Sequence, residues 1–543
     1  RGLVLFQNFR INWKIRRCFP VDFFTFCIEY GIVDKTSFLL IDSQFLWKCP
    51  QREDIMQKSI FKNTMLKMLL SIFNICIPLV IGPYLARLFD KELYGRYNDA
   101  LTIISVLIPI AGFGIYNYGI RTISRIREDR EKSSQLFTIL FGIGVITNLA
   151  GFGLFLLYFT RLRENADFAI YAALSIQILA NIFLTEWMNE AYENYSFIMG
   201  KTIIVRILYV FAIFLFVKKS DDVAVYALLL SLSNLLNNLI SFLYLKTKVK
   251  FCFTIRIPQV SPIIKTLSCL VLISNSGLLF TQLDRLFLSR FGGPVTNVSY
   301  YVLSQTLFDT LLNIINPIVL VSIPRLSKLL SEGKGTEYLR LQGKSSRSYL
   351  LITFPMNMGA AMMGSFIMQL YGGFQYTDAG IVLSAFALRN FIRCLDLILA
   401  NQVLYLYGQE RLIMRLTFFS GTINFLLNSL LVFGNAVTPS HLVATTAIAE
   451  TVLVFFEYRA VKSLNPQFQL LTSHSRNYLL LSLLFFPIRW GISKLNLAFA
   501  MDGLLTIGIC VCFYFAVLYF AKDSIVREFT STVLKRILPN HEE

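Results

Sequence analysis

Charge is what this sequence has least of. Only 15% of its 543 residues are Asp, Glu, Lys or Arg, against 55% hydrophobic, and the mean hydropathy is +0.59. A water-facing chain of this length divides into several domains and needs far more polar surface, so a soluble assembly is excluded. Histidine occurs three times, at His441, His474 and His541. These are too few and too scattered for an H-E-x-x-H zinc site or a Ser-His-Asp set. The nine cysteines lie mostly within or beside apolar runs, and Cys510 and Cys512 make only a C-x-C. No spacing fits a disulfide framework or a metal site, which leaves packing as their role. Gly200-Lys201-Thr202 has the look of the end of a phosphate-binding loop, but the first glycine of that motif would fall at Tyr195. ATP hydrolysis and protease chemistry therefore have no residues to run on. No cofactor or metal is implied, and the chain is expected not to be an enzyme.

Long apolar stretches are abundant. Fourteen are read as spans, at about 65–88, 99–120, 135–159, 167–187, 202–217, 223–245, 263–283, 298–323, 348–371, 379–405, 413–434, 440–460, 477–495 and 497–521. Each is close to the roughly 20 residues a helix needs to cross a ~30 Å hydrocarbon layer. Backbone polar groups in lipid must be satisfied within the chain, and these runs lack the alternation of barrel strands, so they are helices. The predicted fold is an all-α integral membrane protein of about 14 transmembrane helices.

The net charge of +18 is concentrated in alternate loops. Arg121, Arg125, Arg127, Arg130 and Lys132 crowd one; Lys246, Lys248, Lys250 and Arg256 another; Arg325, Lys328, Lys334, Arg340, Lys344 and Arg347 a third. The loops between are poor in cations and no longer than about 15 residues, which leaves no room for an outside domain. This bias places both termini in the cytoplasm and assigns the cations to topology and anionic lipid headgroups rather than nucleic acid.

Residues 1–55 do not match the rest. Phe19–Val33 is apolar but interrupted by Asp22 and Glu29, whereas Met56 is followed by a basic flank that suits a start. The segment is read as an N-terminal extension arising from upstream translation, with an amphipathic cytoplasmic extension as the alternative. The remaining domains are 56–250 (spans one to six), 251–465 (seven to twelve), 466–521 (thirteen and fourteen) and a 522–543 tail. Leu85-Ala86-Arg87-Leu88-Phe89 and Leu283-Asp284-Arg285-Leu286-Phe287 end the first and seventh spans. The offset of six spans gives two like-oriented repeats, the arrangement of transporters whose substrate path lies between halves.

A charge within hydrocarbon costs upward of about 2.5 kcal/mol and is kept where it faces a cavity or a partner. Arg389, Arg393 and Asp396 in the tenth span, followed by Asn401, are spaced to share one helical face. Either Asp396 neutralises Arg393 in a structural network, or the guanidiniums line a wet cavity for an anion. One Arg stays in excess, which favours the anion. Arg121 and Arg285, at the ends of the second and seventh spans, are secondary cation candidates, although snorkelling explains Arg121 and helix pairing explains Asp284 and Arg285. Asp396, Asp284 and Glu450 are candidates for charge pairing or for coupling to H+ or Na+. Glu457 lies nearer the cytoplasmic end of the same span as Glu450. Asn234, Asn237, Asn238, Asn313 and Asn316 read as helix-packing stripes. Pro109, Gly112, Gly114 and Pro317 are expected to kink their helices.

Pro83-Tyr84-Leu85-Ala86-Arg87-Leu88-Phe89 with Tyr94-Gly95-Arg96-Tyr97 resembles the opening of bacterial Wzx-type polysaccharide flippases, of the multidrug/oligosaccharidyl-lipid/polysaccharide exporter superfamily. Gly112 to Arg121 is similar to their second-helix segment. Asn401-Gln402-Val403-Leu404, Gly408-Gln409-Glu410-Arg411, Asn424, Asn428 and Ala444–Glu450 follow in matching order, so the likeness covers about residues 56–465. Asn435–His441 departs from the expected Gly-rich turn. The resemblance implies two six-helix lobes plus two C-terminal helices in a bacterial cytoplasmic (inner) membrane. It implies flipping of an undecaprenyl-pyrophosphate-linked oligosaccharide unit for O-antigen or capsule by alternating access. It also implies a cationic cavity supplied here by Arg389 and Arg393, with a polysaccharide polymerase and chain-length machinery as partners. The alternatives are a multidrug cation antiporter of the same fold, which favours a carboxylate-led cavity, and a membrane glycosyltransferase or polymerase, which the short outside loops disfavour.

Overall fold

The structure is a computed structural model that describes residues 51–160, 167–249, 251–252, 257–275 and 277–537. Phe19–Val33, the start of the extension and His541 lie outside the described residues. Contacts divide the chain into a unit Arg1–Met65, of which only the helical residues 51–65 are described, and a unit Leu66–Glu543 that contains everything below. Among the described residues every regular element is helical. Ten helical segments among the described residues are long and apolar enough to cross a membrane, or eleven if Gly335–Met362 and Gly364–Gly372, bent by 81°, form one span. Phe211, Leu215, Phe433, Leu504 and Phe520 point outward. Such a surface is stable only against lipid, and the chain is a multi-pass membrane protein.

Breaks occur where the local chemistry requires them. The second span divides into Lys91–Ala111 and Ile115–Ile126 with Gly114 at φ 70°, as Pro109, Gly112 and Gly114 predict. The eighth ends at Ile315 and resumes at Pro317. Three further expected spans, 263–283, 477–495 and 379–405, are not among those long apolar segments. The 263–283 stretch is split into Ile257–Ser274, Leu278–Thr281 and Leu283–Phe291, at a run of Ser, Asn, Ser and Gly that favours helix poorly. The 477–495 stretch breaks at Leu484, where Pro487 lacks the N–H for the Leu483 carbonyl. The 379–405 stretch is helical over Gly380–Ile398 and then widens into a π turn, Leu399–Leu404, and it carries the charged cluster.

Polar caps fix the turns between spans. Asp90 accepts from the Glu92 N–H at 2.9 Å and Asp129 from Lys132 at 3.0 Å. Asp523 opens the Ser524–Ile537 helix, accepting from the N–H groups of Ile525 and Val526 and from the Tyr478 hydroxyl at 2.8 Å, beside Arg347 at 3.2 Å. Burial pushes its carboxyl up, but these donors outweigh burial and hold it below the usual carboxylate range.

The first and second halves of the chain meet at the end that bears the Leu88–Lys91 and Phe291–Thr296 turns. Arg87 Nη2 donates to the Leu370 carbonyl at 2.6 Å, and Gln375 Nε2 to the Ala86 and Phe89 carbonyls at 2.6 and 3.1 Å. Lys91 Nζ meets the Tyr300 hydroxyl at 3.2 Å, and the Ser289 hydroxyl donates to Asp99. Gly95 lies so close to the Val295 carbonyl that a Cβ would overlap it. One apolar core, containing Leu85, Phe89, Tyr97, Tyr301 and Phe386, runs through both halves at this end.

Candidate functional site

The Gly380–Ile398 helix presents Arg389, Arg393 and Asp396 to a cavity of about 460 Å³, as their spacing of four and three requires. The π turn that follows adds Asn401, and Pro439–Leu464 adds Glu450. A π turn widens the helix at the place where inward polar groups are wanted.

The two arginines stand in different states. Arg389 is 4% exposed, and its guanidinium is forked onto Glu450, Nε to Oε2 at 2.8 Å and Nη2 to Oε1 at 2.6 Å. That fork consumes its two best-directed donors. Among the described residues Arg393 makes one hydrogen bond, Nη1 to Asp309 Oδ1 at 2.7 Å, and its side chain is 41% exposed. Its other N–H groups remain for the cavity. Asp396 does not neutralise Arg393 through a direct bond. It faces Glu457 of Pro439–Leu464 carboxyl to carboxyl; that side chain is fully buried, and no N–H or hydroxyl donor meets it among the described residues. The excess guanidinium read from the tenth span alone is thus offset by carboxylates from neighbouring helices. Asp309 escaped the sequence reading; its only signal is a lone acid in the otherwise uncharged Thr296–Ile315 helix.

The other candidates lie apart from this cavity lining. Asp284 is fully buried and accepts from Tyr301 at 2.9 Å, Asn424 at 3.0 Å, Asn428 at 2.8 Å and the Thr446 hydroxyl, so it fastens Leu283–Phe291 to three other helices. Arg285 donates to Gln305 at 2.8 Å. Arg121 is exposed on Ile115–Ile126.

Residues 60–330 match the family model described as polysaccharide biosynthesis protein. The chain belongs to that family. Family relatives include a putative O-antigen transporter of Shigella dysenteriae, 20% identical over 403 residues, covering 74% of this chain and all of the relative. A putative O-antigen transporter of Escherichia coli strain K12 is 22% identical and covers 70% of this chain and 93% of its own. Among solved structures, the lipid II flippase MurJ in an inward closed conformation aligns with a TM-score of 0.66. The alignment covers 86% of this chain and all of that one at 16% identity, which establishes a shared fold. The family thus supplies its members with one helical scaffold, and the chemistry must be read from the residues that each member places inside it.

Proposed function

We propose that this protein is a flippase. It would move undecaprenyl-pyrophosphate-linked oligosaccharide units from the inner to the outer leaflet of the bacterial cytoplasmic membrane, for O-antigen or capsule. The observation that carries the reading is Arg393, which lines a cavity of about 460 Å³ and is 41% exposed, with guanidinium donors to spare. A pyrophosphate crossing the bilayer needs such donors, because Arg meets phosphate oxygens in pairs. Arg389, held rigid by Glu450, sets the cavity's shape and joins the anion if it displaces that carboxylate. Arg285 and Arg121 would act at the ends of the path. The relatives' names and the flippase fold support transport rather than enzymatic chemistry.

The finer architecture belongs to this proposal. The fourteen stretches form two six-helix lobes, 56–250 and 251–465, with a C-terminal pair at 466–521, and both termini lie in the cytoplasm. On that orientation, the Arg87, Lys91, Gly95 and Gln375 contacts close the outer end, as alternating access requires of one state. Asp284 and Asp396 are the proposed places at which H+ or Na+ biases the two states. The oligosaccharide-lipid is the proposed substrate, and a polymerase with chain-length machinery is the proposed recipient.

Two experiments test this. Arg389→Ala with Arg393→Ala should abolish surface polysaccharide while the protein still reaches the membrane; unchanged polysaccharide removes both residues from the mechanism. Asp99→Cys with Ser289→Cys, joined by a short thiol-specific crosslinker in a cysteine-free background, should stop transport by more than tenfold. A crosslinked protein that transports normally rules out opening at this end. A second reading, export of organic cations, is favoured by Asp396, Glu410 and Glu450 around the same cavity. It requires that deleting the protein sensitise cells to cationic dyes and leave polysaccharide intact.

A further inference from the structure

A second cavity, of about 240 Å³, lies among Lys91–Ala111, Arg130–Phe159 and the helices from Phe168 to Ala191. No charged side chain lines it. Its polar groups include the carboxamides of Asn148, Asn181 and Asn275 and the hydroxyl of Thr185, with Tyr116, Asn117 and Trp187 also in the lining, set between apolar walls that include Pro109 and Phe141. The amides are held in place. Asn148 Nδ2 donates to the Gly144 carbonyl at 2.7 Å, Asn181 Nδ2 to Asn148 Oδ1 at 2.8 Å, and Asn275 Nδ2 to the Val271 carbonyl at 2.7 Å. These bonds use the N–H donors and leave the carboxamide oxygens of Asn181 and Asn275 without a donor among the described residues. Thr185 is 1% exposed, and its Oγ1 has no hydrogen-bond partner among the described residues.

A buried hydroxyl left unbonded costs stability, and amide oxygens that open on a cavity without a protein donor are free to accept from what enters it. Groups held this way are suited to a ligand that both donates and accepts while carrying no charge. An anion would want a cation here, and an acyl chain would leave every one of these groups unpartnered. Sugar hydroxyls fit, with ring C–H groups against the apolar walls.

The cavity's position relative to the cationic one is the second argument. Asn275 lines the amide cavity and Gly277 the cationic cavity, so the two flank the break in the seventh helix. Two residues of chain span no more than about 7 Å. In a sugar linked to a lipid pyrophosphate, the first ring is joined directly to the phosphate that it follows.

We infer that the amide-lined cavity is a sugar subsite, which takes the first residue of the oligosaccharide while its pyrophosphate is held beside Arg393. This rests on the flippase reading and adds to it where the carbohydrate sits.

The test is ligand binding to purified full-length protein in nanodiscs, with polyprenyl pyrophosphate and with the same lipid carrying one hexosamine. The key variant is Thr185→Val, which removes a hydroxyl that bonds nothing internally and so leaves the packing whole. The sugar-bearing lipid should bind wild type at least tenfold more tightly than the sugar-free lipid. Thr185→Val should lose about fivefold of that increment with no change for the sugar-free lipid. Asn181→Leu should lose more of it, and Arg393→Ala should weaken both lipids alike. Equal binding of both lipids to wild type, or an unchanged increment in Thr185→Val, overturns the subsite while leaving the flippase reading intact. Failure of wild type to bind either lipid overturns the flippase reading, and the subsite with it.

Discussion

Glu450→Ala should remove most of the protein from the membrane and lower its melting temperature in detergent by many degrees. The substitution leaves the Arg389 guanidinium in a site where it is 4% exposed, with both bonds of its fork gone. Breaking a buried pair by removing one partner costs about 3–5 kcal/mol, because the remaining charge has lost its hydrogen-bonded counter-ion. Against a total stability of about 5–15 kcal/mol, that is a large fraction. Replacing both partners, as in Arg389→Met with Glu450→Met, should restore most of the melting temperature, since no charge is then stranded. Glu450→Gln keeps one acceptor and should fall between. A Glu450→Ala protein that melts with the wild type would mean that cavity water already solvates Arg389, and the fork would then contribute little.

Asp284→Ala should be comparably damaging, for a different reason. No ion pair is lost. Tyr301 and Asn428 each lose an acceptor inside the bundle, while Asn424 keeps the Leu279 carbonyl at 3.1 Å and Thr446 keeps Asn424 Oδ1 at 3.2 Å. An orphaned buried donor costs about 1–3 kcal/mol, so the two amount to about 2 kcal/mol or more even with relaxation. Asp284→Asn should recover only part of this, because its amide nitrogen turns a donor toward donors. Thermal unfolding together with surface polysaccharide checks both variants. An Asp284→Asn protein as stable and active as wild type would show that a neutral acceptor suffices at this position.

The helices were legible because hydrocarbon leaves the backbone no other option, and the kinks because Pro109, Gly114 and Pro317 carry their geometry in the residue type. The shared face of Arg389, Arg393 and Asp396 was legible too, since the spacing within one helix fixes it. What pairs with that face was not. Asp309 is 84 residues away, and the sequence of an apolar helix does not give its rotation toward a neighbour. Asn424, Asn428 and Thr446 appeared as separate points of family likeness, and only the packed bundle brings them onto Asp284. Arg121 and Arg285 each read as one cation at the end of an apolar run, yet one is exposed and the other is bound to Gln305. Three expected spans turned out interrupted or charged. Hydropathy counts residues without weighing where a Ser-Asn-Ser-Gly run or Pro487 interrupts the hydrogen-bond ladder.

The bonds that join the two halves at the Leu88–Lys91 end have an uneven character. Arg87 reaches the main-chain oxygen of Leu370, and Gln375 those of Ala86 and Phe89. Main-chain oxygens persist whatever side chain is attached, so the exposed position 370 is free to drift in size without unlatching the molecule, whereas Ala86 and Phe89 are held in size by the core they fill. Only the reaching residues, Arg87 and Gln375, are held to their chemistry. Selection can therefore reshape the surroundings of this latch to suit new cargo while the latch itself continues to work.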